Sequence, residues 1–264
     1  MNENIKISII TPSYNQGEFI EQTIQSVLNQ TYKNIEYILV DGGSTDNTMN
    51  IVNRYRGRID IVISEKDKGQ SDAINKGFKL ATGELVGWIN SDDLLYPDSV
   101  EKIVELYHLH PDGSIYYSEI LDFIDRKGKL LYKFTRKIPN LNYLLNEDYI
   151  VNQQSSFYNR HLVKQIGYLD ESIYYCMDLD LWLRLLHEND RIYRYQSYAL
   201  AAFRMWDNTK TAQAGIRFIK SIRQVLNRHG AKKISRAKLH LFYIACRTWA
   251  GKIKRWILKK IKRL

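Results

Sequence analysis

Two carboxylates in succession, Asp92 and Asp93, follow the apolar run Leu85–Asn90, and a third, Asp41, ends the run Ile35–Val40. Adjacent acids beside a buried strand repel one another. At an effective dielectric of ~20, a like-charge pair ~4 Å apart costs about 4 kcal/mol. A hard divalent cation relieves that repulsion by oxygen coordination, and Mg2+ or Mn2+ typically enters on substrate phosphates with few protein ligands. The plainer alternative is a solvated turn that caps the helix starting near Pro97. Asp41 has two readings as well. It opens Asp41-Gly42-Gly43-Ser44-Thr45-Asp46, a run of turn residues and helix N-caps. It could equally accept a hydrogen bond from a base or ribose.

These acids can act together only if the chain gathers them in one crevice. Ile5–Thr11 reads as a buried strand ending at Pro12, and Phe19, Ile20, Thr23, Ile24, Val27 and Leu28 form a helical stripe over 17–30. The alternation continues with a strand at Ile35–Val40, a helix over 46–56 and a strand at Ile59–Ser64. A helix over 70–81, closed by Gly83, and a strand at Leu85–Asn90 complete it. This pattern predicts an α/β fold with a mostly parallel sheet flanked by helices. Ligands of such sheets sit beyond the carboxyl ends of the strands, which singles out TPSYNQ, DGGSTD, EKDKGQ and NSDD. Further on, Val100–His108 reads as a helix, and Ser114–Asp122 as a strand with Lys129–Phe134 as its hairpin partner. A helix over 178–188 and a Tyr-rich strand over 192–204 follow.

Taken in order, these loops form a recognisable series. Pro12-Ser13-Tyr14-Asn15, Asp41–Asp46, Lys68-Gly69 with Asp72 and Asn75-Lys76-Gly77, and Asn90-Ser91-Asp92-Asp93 resemble the family 2 glycosyltransferases of the GT-A fold. The similarity extends through Gln153–Tyr158, Gly167–Glu171 and Asp178–Arg184, and covers residues 5–205. The resemblance implies a GT-A, Rossmann-like sheet. It also implies transfer of a sugar from a nucleotide-sugar donor, UDP-linked by expectation, to a hydroxyl of a glycan or lipid-linked acceptor in cell-surface polysaccharide synthesis. It assigns Thr11, Pro12, Tyr14, Asp41, Lys68, Asp72 and Asp92 to the donor nucleotide, and Asp93 to direct contact with Mn2+ or Mg2+. Asp178 is implied as the general base of an inverting displacement, with Asp180 the alternative at that helix N-terminus.

Three positions depart from the family pattern: Asn90 begins the metal motif, Met177 precedes the base, and Trp206 stands where many relatives carry His. Arg204 or Lys210 then becomes the candidate for offsetting phosphate charge. Cys176 is expected to be a bystander. The competing functions are a nucleotidyltransferase, whose Gly-rich phosphate loop TPSYNQGE does not supply, and a non-catalytic nucleotide- or membrane-binding protein on the same fold.

Charge divides the chain a second way. The 264 residues carry a formal charge of +10, yet 17 of the 39 Lys and Arg, and no Asp or Glu, lie in 208–264. The expected organisation is a glycosyltransferase body over 1–207, split into a donor half (1–100) and an acceptor half (101–207), then a basic helical extension over 208–264. Apolar residues at 242, 246, 249, 253, 256, 257, 261 and 264 mark one helical face, with cations on the other. A central Lys or Arg costs ~2.5–3.5 kcal/mol in a bilayer core, which argues against spanning. Interfacial binding of 238–264 to an anionic membrane surface fits, as does packing on the body. Nucleic acid is not the expected partner, since no motif for it is present. The start MNENIKISII lacks a charged leader with an apolar core, and two cysteines make no disulfide framework. The expectation is a cytoplasmic protein, peripheral to the inner face of the cell membrane.

Overall fold

The computed structural model describes residues 4–207, 209–210 and 214–261, with side chains through 248. Seven strands form the main sheet: β1 (Ile7–Ser13), β2 (Ile35–Asp41), β3 (Ile61–Ser64), β4 (Leu85–Trp88), β6 (Ile115–Ser118), β9 (Phe157–Asn159) and β10 (Ile192–Tyr195). Their order is β10-β6-β9-β4-β1-β2-β3. Only β9 runs antiparallel to its neighbours. Helices α1 (Ile20–Leu28), α2 (Thr48–Arg54) and α4 (Ser99–Leu109) cover one face, and α3 (Gln70–Leu80), α5 (Leu141–Asn146), α6 (Arg160–Gln165) and α7 (Met177–Glu188) the other.

Coverage on both faces explains why β1 and β2 are continuous apolar runs. Ile10, Ile38 and Val40 enter one core, while Ile7, Ile9, Tyr37 and Leu39 enter the other. Pro12 does not end β1, which runs on to Ser13. Ile7 N donates to Asn34 O beside β2, and Ile10 O accepts from Ile89 N beside β4. By that alternation the Pro12 nitrogen faces the β4 side, where β4 has already stopped, so no ladder bond is lost.

Each of the two long strands expected after residue 100 is two strands. Ser114–Asp122 is broken at Glu119 into β6 and β7 (Ile120–Ile124), and 192–204 into β10 and β11 (Ala201–Arg204). β7 and β11 belong to a second sheet of order β5-β11-β7-β8, with β5 (Leu94–Leu95) and β8 (Leu130–Thr135). The expected β7–β8 hairpin is present and antiparallel. β10 pairs with β6 in one sheet and β11 with β7 in the other, both parallel, so two neighbouring strands cross between the sheets together. The Ser118 hydroxyl sits at the crossing, 2.9 Å from Ile120 O and 3.0 Å from Tyr198 O.

The basic segment supplies α8 (Ile216–Arg228) and α9 (Arg236–Ile261). Its first part packs into the body: Ile222, Val225, Leu226, Ala237 and Leu241 are buried in the core beneath α7. Among the described residues no helix is long and apolar enough to cross a membrane.

Candidate active site

A cavity of about 460 Å3 opens where β1 and β4 end, walled by Pro12, Tyr14, Asp67, Asp92, Asp178 and Lys210 among others. Its donor-side loops are zipped by side chain to backbone bonds. Asn15, at φ 51°, receives the Thr45 N–H on Oδ1 at 2.8 Å and gives its own N–H to Ser44 Oγ at 2.7 Å. Gln16 N–H reaches Thr48 Oγ1 at 2.8 Å, and Gly17 N–H reaches Asp46 Oδ2 at 2.9 Å. Asp41 is fully buried beneath this zipper. Its carboxylate accepts the Gly43 and Ser44 N–H groups at 3.1 and 3.0 Å, Ser64 Oγ at 2.8 Å, and the Ser44 hydroxyl. The turn-capping alternative thus describes its contacts. A β-carbon at Gly42 would overlap the Asp67 carboxylate, so glycine there lets this turn close on the third loop.

Several expected donor residues stand off the wall. Thr11 is buried, its Oγ1 accepting Tyr37 OH at 3.1 Å. Lys68 is exposed, and its N–H is bound at 3.0 Å by Asp72. That bond, with Lys76 3.5 Å away, holds Asp72 below the usual carboxylate range. Pro12 and Tyr14 do line the cavity, Tyr14 on an exposed rim.

The acidic pair splits by direction. Asp93 turns inward and is almost wholly buried. Its Oδ1 accepts Arg204 N–H at 2.9 Å and its Oδ2 accepts Asn90 Nδ2 and Gln154 Nε2 at 3.0 and 3.2 Å. Burial, and then the neighbouring Asp92, push its pKa up to about 8. Asp92 turns outward onto the wall, its Oδ2 fixed at 2.9 Å by Trp206 Nε1, and burial raises it too. Asp93, expected to contact metal, thus has both oxygens on protein donors and stands off the cavity wall, while Asp92 lines it. Arg204 is fully buried and braces the pair from behind. Its guanidinium donates to Asp92 O, Arg126 O and Gln22 Oε1 at 2.8, 3.0 and 2.8 Å. It is thus not positioned to meet a phosphate in the cavity. Indole nitrogen is a donor only, so Trp206 orients Asp92 and cannot itself ligate a metal. Asn90 places a neutral amide against Asp93 where a third carboxylate would add charge.

Asp178 lies in the first turn of α7. Eight of the twelve residues of that helix, including Leu179, Leu181, Trp182 and Leu185, are buried. Each such apolar side chain is worth ~1.5–3 kcal/mol of burial, which fixes the helix. Asp178 Oδ1 accepts Leu179 N–H at 2.9 Å, and the helix N-terminus favours its charge. Burial nonetheless raises its pKa, and Lys210 opposes the rise. Lys210 is on the same wall, its Nζ 3.2 Å from Tyr174 O and 4.2 Å above the Tyr174 ring. Burial lowers its pKa, countered by Asp178 and Asp67. Asp180, two residues on, is spent inside the protein, bound by Arg184 Nε at 2.7 Å and His229 Nε2 at 2.9 Å. Cys176 adopts a left-handed conformation (φ 49°) ahead of α7, and burial pushes its thiol up to about 12, which leaves it inert at neutral pH. Asp67 and Tyr174 were not singled out in the sequence, although Asp67 lies in the EKDKGQ loop that the strand-end rule points to.

The donor set suits a loosely held cation. Among the described residues no three His, Cys, Asp or Glu side chains could cage a metal ion. A cation here would rest on Asp92 and on oxygens of a bound ligand, the manner in which Mg2+ and Mn2+ keep water and phosphate ligands.

The sequence model of the family described as Glycosyl transferase family 2 matches residues 8–167. The chain belongs to that family. It is similar to an uncharacterized glycosyltransferase of Rickettsia typhi, 31% identical over 186 residues, 68% of this chain and 58% of the relative. It also resembles TuaG of Bacillus subtilis, provisionally named for teichuronic acid biosynthesis, at 41% over 102 residues, 38% of this chain and 40% of TuaG. The chain thus spans about three fifths or less of the length of these relatives. Two solved structures share the fold. Staphylococcus aureus TarS 1–349 in complex with UDP-GlcNAc has a TM-score of 0.64 at 19% identity, over 93% of this chain and 72% of that one. The mannosyltransferase PcManGT of Pyrobaculum calidifontis, in complex with GDP-Man and Mn2+, has a TM-score of 0.68 at 17% identity, over 93% and 73%. The fold is GT-A.

Proposed function

We propose that this glycosyltransferase moves a sugar, with inversion, from a UDP-linked donor to a hydroxyl of a glycan or lipid-linked acceptor in cell-surface polysaccharide synthesis. The observation that carries the reading is that Asp92 and Asp178 face one cavity from opposite elements of the fold. TarS and PcManGT, each in complex with a nucleotide sugar, support the donor class. Pro12, Tyr14 and Asp67 border the nucleotide, while Thr11, Asp41, Lys68 and Asp72 shape the loops around it. Lys210 meets the diphosphate. A divalent cation, Mn2+ or Mg2+, held by Asp92 and the diphosphate, would supply Lewis-acid stabilisation of the leaving group. Asp178 takes the proton from the acceptor hydroxyl as that oxygen attacks the anomeric carbon, and burial, which raises its pKa, makes it a stronger base than a solvated carboxylate. Residues 1–207 carry this chemistry. The extension over 208–264 holds the enzyme at the cytoplasmic face of the membrane, through 238–264.

The test is a panel of UDP- and GDP-sugars with Mn2+, followed by Asp178→Asn. Turnover of one donor, abolished by EDTA, is expected. In the variant, transfer falls about 10^2–10^4-fold, the usual contribution of a general base, while calorimetry gives donor affinity within about threefold of wild type. Intact nucleotide binding with no turnover of any donor would instead favour a non-catalytic protein.

A further inference from the structure

The described part of α9 is apolar on two opposite faces. Ala237 and Leu241 are buried against the body. Leu239, Phe242, Tyr243 and Cys246, spaced i, i+3, i+4 and i+7, share another face, which is open to solvent apart from Arg247, 5.7 Å over the Tyr243 ring. Leu239 is 59% exposed, Phe242 66% and Tyr243 56%, and Cys246 is exposed as well. Ile234, at 79%, stands just ahead of the helix.

The loop that presents Ile234 is held rather than loose. Gly230, at φ +83°, ends α8, and Ala231 N–H returns to Leu226 O at 3.0 Å, a Schellman-type closure. Lys232 N–H binds Asn146 Oδ1 at 2.9 Å, and Lys238 Nζ bridges the Ala231 and Lys232 carbonyls at 3.0 and 2.7 Å. The same segment carries exposed cations: Lys232, Lys233, Arg236 and Arg247, with Arg217, Lys220 and Arg223 on α8. No acidic residue lies anywhere in 208–264. An exposed apolar stripe in a cation-rich segment free of acids matches an anionic lipid surface in both chemistry and charge.

We propose that Ile234 and the Leu239–Phe242–Tyr243–Cys246 stripe form a docking surface for anionic lipid, built from residues upstream of 249. The surface deepens the membrane reading of 238–264 and rests on it. It also gives that reading an orientation. α8 places Phe218 on the cavity wall while Arg217 and Lys220, on the same turn, face solvent. A bilayer gripping these cations lies beside the cavity mouth, where a lipid-linked acceptor would enter.

The test uses full-length protein and cosedimentation with phosphatidylcholine vesicles containing none or about 30% phosphatidylglycerol. Wild type partitions to the anionic vesicles about tenfold more strongly or better. Ile234→Glu/Phe242→Glu loses that preference, with a thermal melt matching wild type because both positions are exposed. Trp249→Ala/Trp256→Ala/Lys259→Gln/Lys260→Gln, which keeps Ile234 and the 239–246 stripe unchanged, loses less. Anionic-vesicle binding by the first variant equal to wild type, or a larger loss in the second, overturns the proposal and leaves the tail reading standing. Absence of any phosphatidylglycerol preference in wild type ends both. Light scattering covers the remaining occupant, since a wild-type dimer that the first variant converts to monomer without lipid binding would assign the stripe to a second copy.

Discussion

Asp92 and Asp93 differ only in what surrounds them, and so do Asp178 and Asp180. One of each pair faces the cavity and the other is consumed by protein donors. That division makes the titration behaviour testable. The Asp178 pKa is raised, so the acid limb of kcat/KM lies above the ordinary carboxylate value of 3.8, and a pH–rate profile of wild-type enzyme locates it. Asp93 binds its proton more tightly folded than unfolded, so the folded state holds the extra proton and metal-free protein loses stability as pH rises from ~4 towards 8. Asp93→Asn lacks that dependence. Its melting temperature relative to wild type should therefore improve between pH 5 and 8, as calorimetry across that range will show.

Helix α7 carries Asp178, the proposed base, and Asp180 is its anchor to α8. Burial opposes its charge, but His229 and Arg184 hold its pKa below the usual range. Asp180→Ala leaves Arg184 and His229 facing a gap. Loss of a buried ion-pair partner costs about 3–5 kcal/mol, read as a lower denaturant midpoint. Gly77 makes the equivalent point for α3, since a β-carbon there would come 2.6 Å from Ile10 of β1. Gly77→Ala should destabilise by about 1–3 kcal/mol through overpacking. Both contacts explain what could be read from the sequence and what could not. The alternation over 5–90 was legible because buried strands and striped helices differ in period. The crossings at Glu119 and at 196–200 were not, because an apolar run looks the same whether it stays in one sheet or changes sheets. β9 was missed because three residues carry no period. At the site, the strand-end loops were legible. Which carboxylate of a pair turns outward was not, since Arg204, from β11, decides it 111 positions from Asp93.

At the scale of the molecule, the body and the basic segment meet along α8, which is core on one side and cationic on the other. Vesicle binding should weaken steeply between about 0.05 and 0.5 M NaCl while nucleotide-sugar affinity changes little, because exposed charges are screened more than buried ones. A truncation at 238 is the wrong probe of this surface, since it removes Leu241, which is only 2% exposed and part of the core. The joint between the sheets sets another property of the whole. β6–β7 and β10–β11 run between them side by side, like paired rails. A single connection could serve as a pivot, but two side by side, paired in both sheets, resist tilting, since bending one requires bending the other. The enzyme should therefore keep a fixed angle between its halves when donor arrives, and spin-label distances across the joint should match with and without nucleotide sugar.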